Sequence, residues 1–315
     1  METSFGIQLE PQFGYTKKNV DKIASFVEES KFDTIWVSDH MFLDKDAVGK
    51  SAFDALTVMT YLGTKYSQLR VGSLVFCNSY RQPSVMAKKI ASLDNLLEGR
   101  LEVGYGAGWK EMEYGAYGIP FPSVKTRLEQ LVEGLEVLQK MWTEEKASYK
   151  GDHYTLENAL CFPKPYQKPY PRLWIGTMYG KKKMLKIAAK YGDGINLAWA
   201  FTVDRCKKIF EQLDTYTSQL GRQPLKRSLG FWVRIYSDEK EMAIGIQEEA
   251  KKRNITVDEY KKRTEGALIG TTGTVVEKIK AYKNLGVSHF IFMFPYQKEL
   301  EYLEIFNDRI LKTVQ

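Results

Sequence analysis

TIWVSDHMF, residues 34–42, begins as a buried strand and ends on an acid and an imidazole. Thr34, Ile35, Trp36 and Val37 are β-branched or aromatic and suit a pleated, half-buried chain. Asp39 and His40 follow with no turn residue between them. Side chains alternate across a strand, so these neighbours cannot both face one side unless the chain turns. A functional reading puts the pair at the mouth of an α/β fold, where the carboxyl ends of strands carry the site. Taken alone, the pair also reads as a capping Asp beside a surface His.

Outward from this strand, short apolar segments alternate with amphipathic ones. Strands are expected at 5–9, 33–38, 69–76, 100–106, 172–176, 194–199, 228–237 and 289–294. Helices are expected at 18–30, 53–66, 83–97, 125–142, 181–192, 204–221, 274–286 and 299–311. In the first helix Val20, Ile23, Ala24 and Val27 fall at helical spacing and make one apolar stripe. Pro83 suits the first position of its helix. Two segments interrupt the alternation. Residues 147–171 hold Pro163, Pro165, Pro169 and Pro171 and read as an inserted hairpin or ordered loop. Residues 238–265 are rich in Lys and Glu and read as a helical insertion.

Eight strand–helix units pair in parallel and close most economically as a (β/α)8 TIM barrel with insertions. The competing architecture, an open doubly wound sheet, needs a G-x-G-x-x-G turn after its first strand. FGIQLEPQFGY (5–15) has none. No low-complexity linker divides the chain, so residues 1–315 are expected to form one domain.

Composition narrows the class. Hydrophobic residues make up 43% and charged residues 27% of the 315, a soluble globular balance. No apolar run approaches the roughly 18 residues of a membrane span. METSFGIQLE lacks a basic head and an apolar signal core, which argues against secretion. Cys77, Cys161 and Cys206 are odd in number and scattered, fitting a reducing cytosol better than a disulfide framework or a zinc site. The net charge of +7 fits either an anionic small-molecule ligand or a solvated Lys-rich surface. Lysines interleaved with glutamates, without a nucleic-acid-binding signature, argue against a nucleic-acid partner.

The strand ends carry the chemistry. SLVFCNSYRQP (73–83), GYGAGWKEMEYG (104–115) and IGTMYGKKK (175–183) would gather at one mouth. Glycine lets backbone approach a ligand closely, although GYGAG also fits a strand leaving a crowded barrel. Gly176 to Gly180 precede a helix N-terminus and Lys181 to Lys183, an arrangement that favours a phosphate but also occurs as a tight turn. With three histidines (His40, His153 and His289) a His-rich metal centre is not expected. No nucleophile elbow or Walker loop appears. Phe42, Tyr80, Trp109, Tyr179, Trp199 and Phe294 would make the mouth aromatic and suit a flat heteroaromatic cofactor.

These segments resemble the luciferase-like flavin and deazaflavin oxidoreductases, in particular the branch that uses coenzyme F420. The resemblance is carried by WVSDH (36–40), the run from Leu69 to Pro122, YKGDHYTLENALCFPKPYQKPYPRLWIG (149–176), AAKYGDGIN (188–196) and IGTTGTVVEKI (269–279). It implies a bacterial luciferase-like (β/α)8 barrel, a homodimer, and hydride transfer between F420 and a small-molecule substrate. FMN with a monooxygenase reaction is the alternative, and a non-enzymatic flavin-binding barrel a further one. Residue by residue, it implies that Asp39 and His40 sit beside the cofactor ring, with His40 handling a proton and Asp39 expected to orient it or touch the ring. It implies that Ser73 and Leu74 flank a non-prolyl cis peptide backing the ring. Gly106, Ala107 and Gly108 would line the ring, with Gly176, Thr177, Met178, Gly180 and Lys181 at the phosphate. The chain departs from the pattern twice. Trp109 stands where some relatives carry a glutamate proton donor, although Glu113 is typical of this branch. Thr177 stands where the phosphate loop normally has a second glycine. Trp109 is therefore a candidate active-site wall rather than an acid.

Overall fold

The computed structural model describes residues 3–314. In chain order the strands are β1 (Ser4–Leu9), β2 (Thr34–Val37), β3 (Arg70–Ser73), β4 (Phe76–Cys77), β5 (Leu101–Gly106), β6 (Ala147–Lys150) and β7 (Thr155–Ala159). They continue with β8 (Leu173–Thr177), β9 (Gly194–Leu197), β10 (Lys226–Tyr236), β11 (Leu268–Thr271) and β12 (Val287–Met293). β1, β2, β3, β5, β8, β9, β10 and β12 pair in parallel around a ring, and β12 returns to β1. This is the expected closed (β/α)8 barrel, and its eight strands match the expected segments to within a few residues.

Alternation along each strand sorts its side chains. Phe5, Ile7 and Leu9 of β1 face outward into the helix-covered core. The residues between them face the barrel axis: a Cβ on Gly6 would stand 2.7 Å from the Trp36 indole. Trp36, Trp174 and Ile291 fill the interior with Leu74 packed on them, and the two indoles meet edge-on at 6.2 Å. At ~25 cal/mol per Å2, burying roughly 200 Å2 of indole contributes on the order of 5 kcal/mol before entropy. The barrel is therefore plugged, and a ligand has room only at its ends.

The covering helices are α1 (Lys17–Glu28), α2 (Ala55–Lys65), α3 (Pro83–Leu96), α4 (Glu111–Ala116), α5 (Val124–Thr143), α6 (Lys182–Tyr191), α7 (Val203–Gln219), α8 (Glu239–Lys252), α9 (Val257–Arg263) and α10 (Thr272–Asn284). Their starts are mostly written locally. Thr16 and Asn19 form a reciprocal capping box on α1, and Asp54, Ser123 and Thr202 cap α2, α5 and α7 with their side chains. The first insertion is an antiparallel hairpin, β6 against β7, whose turn is held because Glu133 accepts the backbone N–H groups of Asp152, His153 and Tyr154. The second consists of α8 and α9 and ends in β11.

β11 lies outside the eight expected strands. It prolongs the sheet by pairing with Val233–Tyr236, where β10 runs past its last partner in β12. The terminal helix also differs from the unbroken one expected over 299–311. It divides into α11 (Glu299–Ile305), a π turn (Phe306–Ile310) and α12 (Leu311–Val314). Phe306 lies 4.7 Å from the Phe292 ring and 5.0 Å from Phe294, so the wider turn coincides with a buried aromatic contact. Among the described residues no helix is long and apolar enough to cross a membrane.

Candidate active site

Strand alternation resolves the pair at the end of β2. Trp36 faces the barrel axis, and Ser38 donates to Glu10 Oε2 at 2.7 Å at the end of β1. His40 continues this series at the mouth. Asp39 turns the other way: it accepts the Cys77 N–H at 2.9 Å and a two-point contact from Arg81, at 2.7 and 2.9 Å. Arg81 also reaches Asp54 Oδ2 at 2.9 Å and so ties the end of β2 to the start of α2. Asp39 therefore braces the loop after β3, and it does not orient the His40 ring.

Glu113 on α4 performs that orientation. Its Oε2 lies 2.9 Å from His40 Nδ1 and accepts the Tyr80 hydroxyl at 2.6 Å. Its Oε1 accepts the backbone N–H groups of Met41 and Phe42, at 2.9 and 3.3 Å, and Lys110 Nζ at 3.1 Å. Burial opposes charge on this carboxyl, but the contacts from His40, Tyr80 and Lys110 outweigh it and hold its pKa down at about 2. An ionised carboxylate only accepts, so the His40 Nδ1 facing it carries a proton. The Trp109 indole stands edge-on to His40 at 5.6 Å and is itself exposed.

The floor comes from the loop after β3. A non-prolyl cis bond lies between Leu74 and Val75, one bond beyond the expected Ser73–Leu74 position, and a second lies between Ala198 and Trp199. Regular pairing continues through that earlier bond: Leu74 N donates to Val37 O at 2.9 Å, and Ser73 Oγ bridges Gly104 O and N at 2.8 and 2.9 Å. Val75 then projects between the glycines of neighbouring strands. A Cβ on Gly106 would stand 2.9 Å from it, and one on Gly104 or Gly176 would stand 2.7 Å away. Of the two readings of GYGAG, crowding accounts for Gly104 and Gly106: Val75 crowds Gly106, and the Ser73 carbonyl, closer still than Val75, crowds Gly104. Gly108 has φ +76°, and a Cβ there would lie 1.9 Å from the Tyr114 hydroxyl. Ala107 joins these two glycines at the same rim, partly buried.

The 176–180 loop leads into α6. Thr177, in place of a second glycine, braces it: its Oγ1 accepts the N–H of Gly180 at 3.1 Å and of Tyr179 at 3.4 Å. Arg205 holds the Tyr179 carbonyl at 3.1 Å, and Gly180 takes φ +60° against Ile209. Met178 is exposed at the tip. Lys181 is the N-cap of α6 with no side-chain cap, and the first turn contains no acid. The uncapped N–H groups and Lys181 to Lys183 together favour an anion.

Two buried acceptors near the axis have no donor among the described residues, Gln8 Oε1 and Asn196 Oδ1. The amide of Gln8 is spent on Glu10 and that of Asn196 on Ser228. Asn196 is in register with Gly176, beside the Val75 floor. A planar ligand carrying N–H groups fits this arrangement, with glycines at its sides and an anion seat at its far end.

Of the expected aromatic wall, Trp199 lies over Gly230 and parallel to Trp232 at 6.5 Å, while Phe42 stacks on Tyr117 at 6.3 Å. Phe294 is instead buried against Phe292, Tyr302 and Phe306, because its turn in the alternation faces the helices. His153 lies in the hairpin, 3.9 Å from Glu129, and His289 lies at the opposite end of the barrel. No group of metal-ligating side chains occurs among the described residues. Glu113, Lys110, Arg81 and Val75 did not emerge as site residues from the sequence. The available signal was the acidic–aromatic run WKEMEYG (109–115), where Glu113 falls about one helical turn after Trp109.

The sequence model of the luciferase-like monooxygenases matches residues 3–245. The chain belongs to that family. A curated relative from Amycolatopsis mediterranei, named F420-dependent glucose-6-phosphate dehydrogenase, is 26% identical over 96% of each chain. Among solved structures, an F420-dependent secondary alcohol dehydrogenase in complex with an F420–acetone adduct superposes with a TM-score of 0.85, at 21% identity over the whole of both chains. The oxygenating constituent of 3,6-diketocamphane monooxygenase from Pseudomonas putida, in complex with FMN, superposes with a TM-score of 0.78 at 16% identity, covering 100% of this chain and 99% of that one. At these identities the structural likenesses establish the luciferase-like barrel fold.

Proposed function

We propose that this luciferase-like protein is an oxidoreductase that moves a hydride between coenzyme F420 and a small organic substrate. The observation that carries the reading is an imidazole held by a buried, ionised Glu113 over a floor of valine and glycine, within one mouth that also contains a lysine-rich helix start. The F420 dependence named for relatives such as the Amycolatopsis protein supports the choice of cofactor. The deazaflavin, when bound, supplies two-electron hydride chemistry.

Leu74 and Val75 support the ring, and the backbone of Gly106, Ala107 and Gly108 flanks it. The Gly176–Gly180 loop and Lys181 hold the phosphate. Gln8 and Asn196 offer acceptors to ring N–H groups. His40 Nε2 takes the proton from a substrate hydroxyl, or returns one to a carbonyl, and the Glu113 carboxylate stabilises the imidazolium that forms. Asp39 contributes through Arg81 by fixing the loop that carries the floor. Trp109 and Trp199 wall the substrate and exclude water. The lysines at 181–183 and the +7 balance favour capture of an anionic cofactor tail.

Titrating the apoprotein with F420 and with FMN, and following the fluorescence of each, tests the reading. Binding of F420 at micromolar concentration with little affinity for FMN is expected. The reverse would transfer the site to the FMN-dependent monooxygenase reading, which the FMN-bound structural relative favours. A barrel that only stores cofactor would bind F420 yet catalyse no substrate-dependent change in its absorbance. We further read the chain as one domain that forms a homodimer in the cytosol. Leu96, Leu160, Phe162 and Tyr166 expose large apolar surfaces, a feature that supports a partner copy, and the three cysteines are free and buried. Light scattering at the mass of one chain would remove the dimer.

A further inference from the structure

A cavity of about 480 Å3 opens at the end of the barrel opposite His40, where the strands begin. Asp33, Arg70, Glu102, Arg172, Lys226 and His289 bring their charges and ring nitrogens to it. These charges do not cancel. Glu102 is already shared between Arg70 at 2.7 Å, Arg172 at 3.2 Å and the Trp174 indole N–H at 2.8 Å. Asp33 is taken up by Ser4, Thr34 and the Phe5 N–H, at 2.8, 2.5 and 3.1 Å. The Lys226 ammonium has no hydrogen bond or ion pair among the described residues, while its backbone N–H donates to the Asp193 carbonyl at 3.1 Å. The lining thus carries three cations and two carboxylates: Glu102 bridges Arg70 and Arg172, Asp33 is engaged by Ser4, Thr34 and the Phe5 N–H, and the Lys226 ammonium pairs with neither.

His289 lies beside the same cations. Its Nε2 lies 3.2 Å from Arg172 Nη1, which donates to it, and its Nδ1 lies 3.0 Å from Ser288 Oγ. Burial first, and then Arg172, Lys226 and Arg70, push its pKa down to about 3. A buried imidazole beside three cations lies where the local potential favours a small anion.

We propose that this cavity binds a tetrahedral oxyanion of the phosphate class, held by Lys226 and Arg172 beside His289. The site is separate from the cofactor mouth and does not depend on the reaction assigned there. Its occupant would draw together the starts of β1, β3, β8, β10 and β12 and so stabilise the barrel by mass action. The volume exceeds that of one phosphate group and leaves room for an organic substituent.

The test is a titration with inorganic phosphate at constant ionic strength and pH 7, following the His289 ring signals by NMR, assigned through their loss in His289→Gln. Saturable movement of these signals and a rise in Tm are expected. Lys226→Met should weaken the effect roughly tenfold, the loss of one charge-assisted contact. Lys181→Ala should leave it unchanged, which separates this site from the 176–180 loop. Tighter binding of glycerol phosphate than of phosphate would identify an organic phosphate as the occupant, and equal or weaker binding the free anion. His289 signals that stay fixed throughout the titration, or that move equally in Lys226→Met, would overturn the proposal.

Discussion

His40 Nδ1 and Glu113 Oε2 are 2.9 Å apart across 73 residues of sequence. The contact joins the exit of β2 to a six-residue helix placed after β5. Because the carboxylate is ionised and closed off by Tyr80, Lys110 and two backbone N–H groups, it fixes the tautomer of the ring. His40→Ala should lower hydride transfer by about 10²-fold with little loss of cofactor affinity, and Glu113→Gln by about tenfold, since amide replaces charge but retains shape. Single-turnover F420 absorbance with a screened substrate, set beside the F420 Kd, checks both. Unchanged turnover in His40→Ala would remove that residue from the mechanism.

The floor predicts a rescue. Gly176→Ala would place a methyl group 2.7 Å from Val75 Cγ1, so Val75 must move up into the cofactor space. F420 affinity should fall about tenfold and should recover in Gly176→Ala/Val75→Ala. Failure of the double variant to recover would mean that Val75 is not the floor. Gly104→Ala is expected to behave differently. There the new methyl meets the Ser73 carbonyl at 2.1 Å, and Ser73 is braced on both sides, so about 3 kcal/mol of stability should be lost in urea with no rescue at Val75.

Two buried groups contribute separable parts of the response to acid. His289 titrates near 6.5 when unfolded and about 3 when folded, so its contribution is complete above pH 6.5 and declines as pH falls toward 3. Glu113 changes from 4.5 to about 2, so its contribution, on the order of 3 kcal/mol, is complete above 4.5 and is lost below. Tm should therefore fall in two stages as the solution is acidified. In His289→Gln the decline between pH 6.5 and 5 should flatten while the lower stage remains. An unaltered profile in that variant would contradict the assignment.

The helix start behind the 176–180 loop predicts a dependence on salt. Lys181→Ala/Lys182→Ala should lower F420 affinity severalfold at low ionic strength, and the gap between variant and parent should close near 1 M salt, where the screening length is about 3 Å. Isothermal titration at two salt concentrations measures both. A salt-independent loss would indicate structural damage to α6 instead.

The barrel could be read from one chain because hydrophobic periodicity is local: each strand and its helix announce themselves within a few residues. β11 could not be read in that way. It is four residues long, and only the extra length of β10 gives it a partner. His40 was visible because an imidazole at the end of an apolar strand is conspicuous. Its support was not, since Glu113, Tyr80 and Lys110 converge only after β2, β3 and β5 are placed side by side. The role of Asp39 followed from alternation once the direction of His40 was known. The glycines at 104, 106 and 176 showed that something approaches closely, but spacing along the chain does not say whether a ligand or a neighbouring valine occupies the room.

β10 is eleven residues long and continues past the barrel rim with β11 hydrogen-bonded to its side. The α8–α9 segment therefore rises from a stiff two-stranded stem that is continuous with the wall, rather than swinging on a loose tether. Residues can be added or removed at the tip of that stem without disturbing the ladder below it. A single scaffold can in this way acquire canopies of different shape while the barrel strands below stay in register.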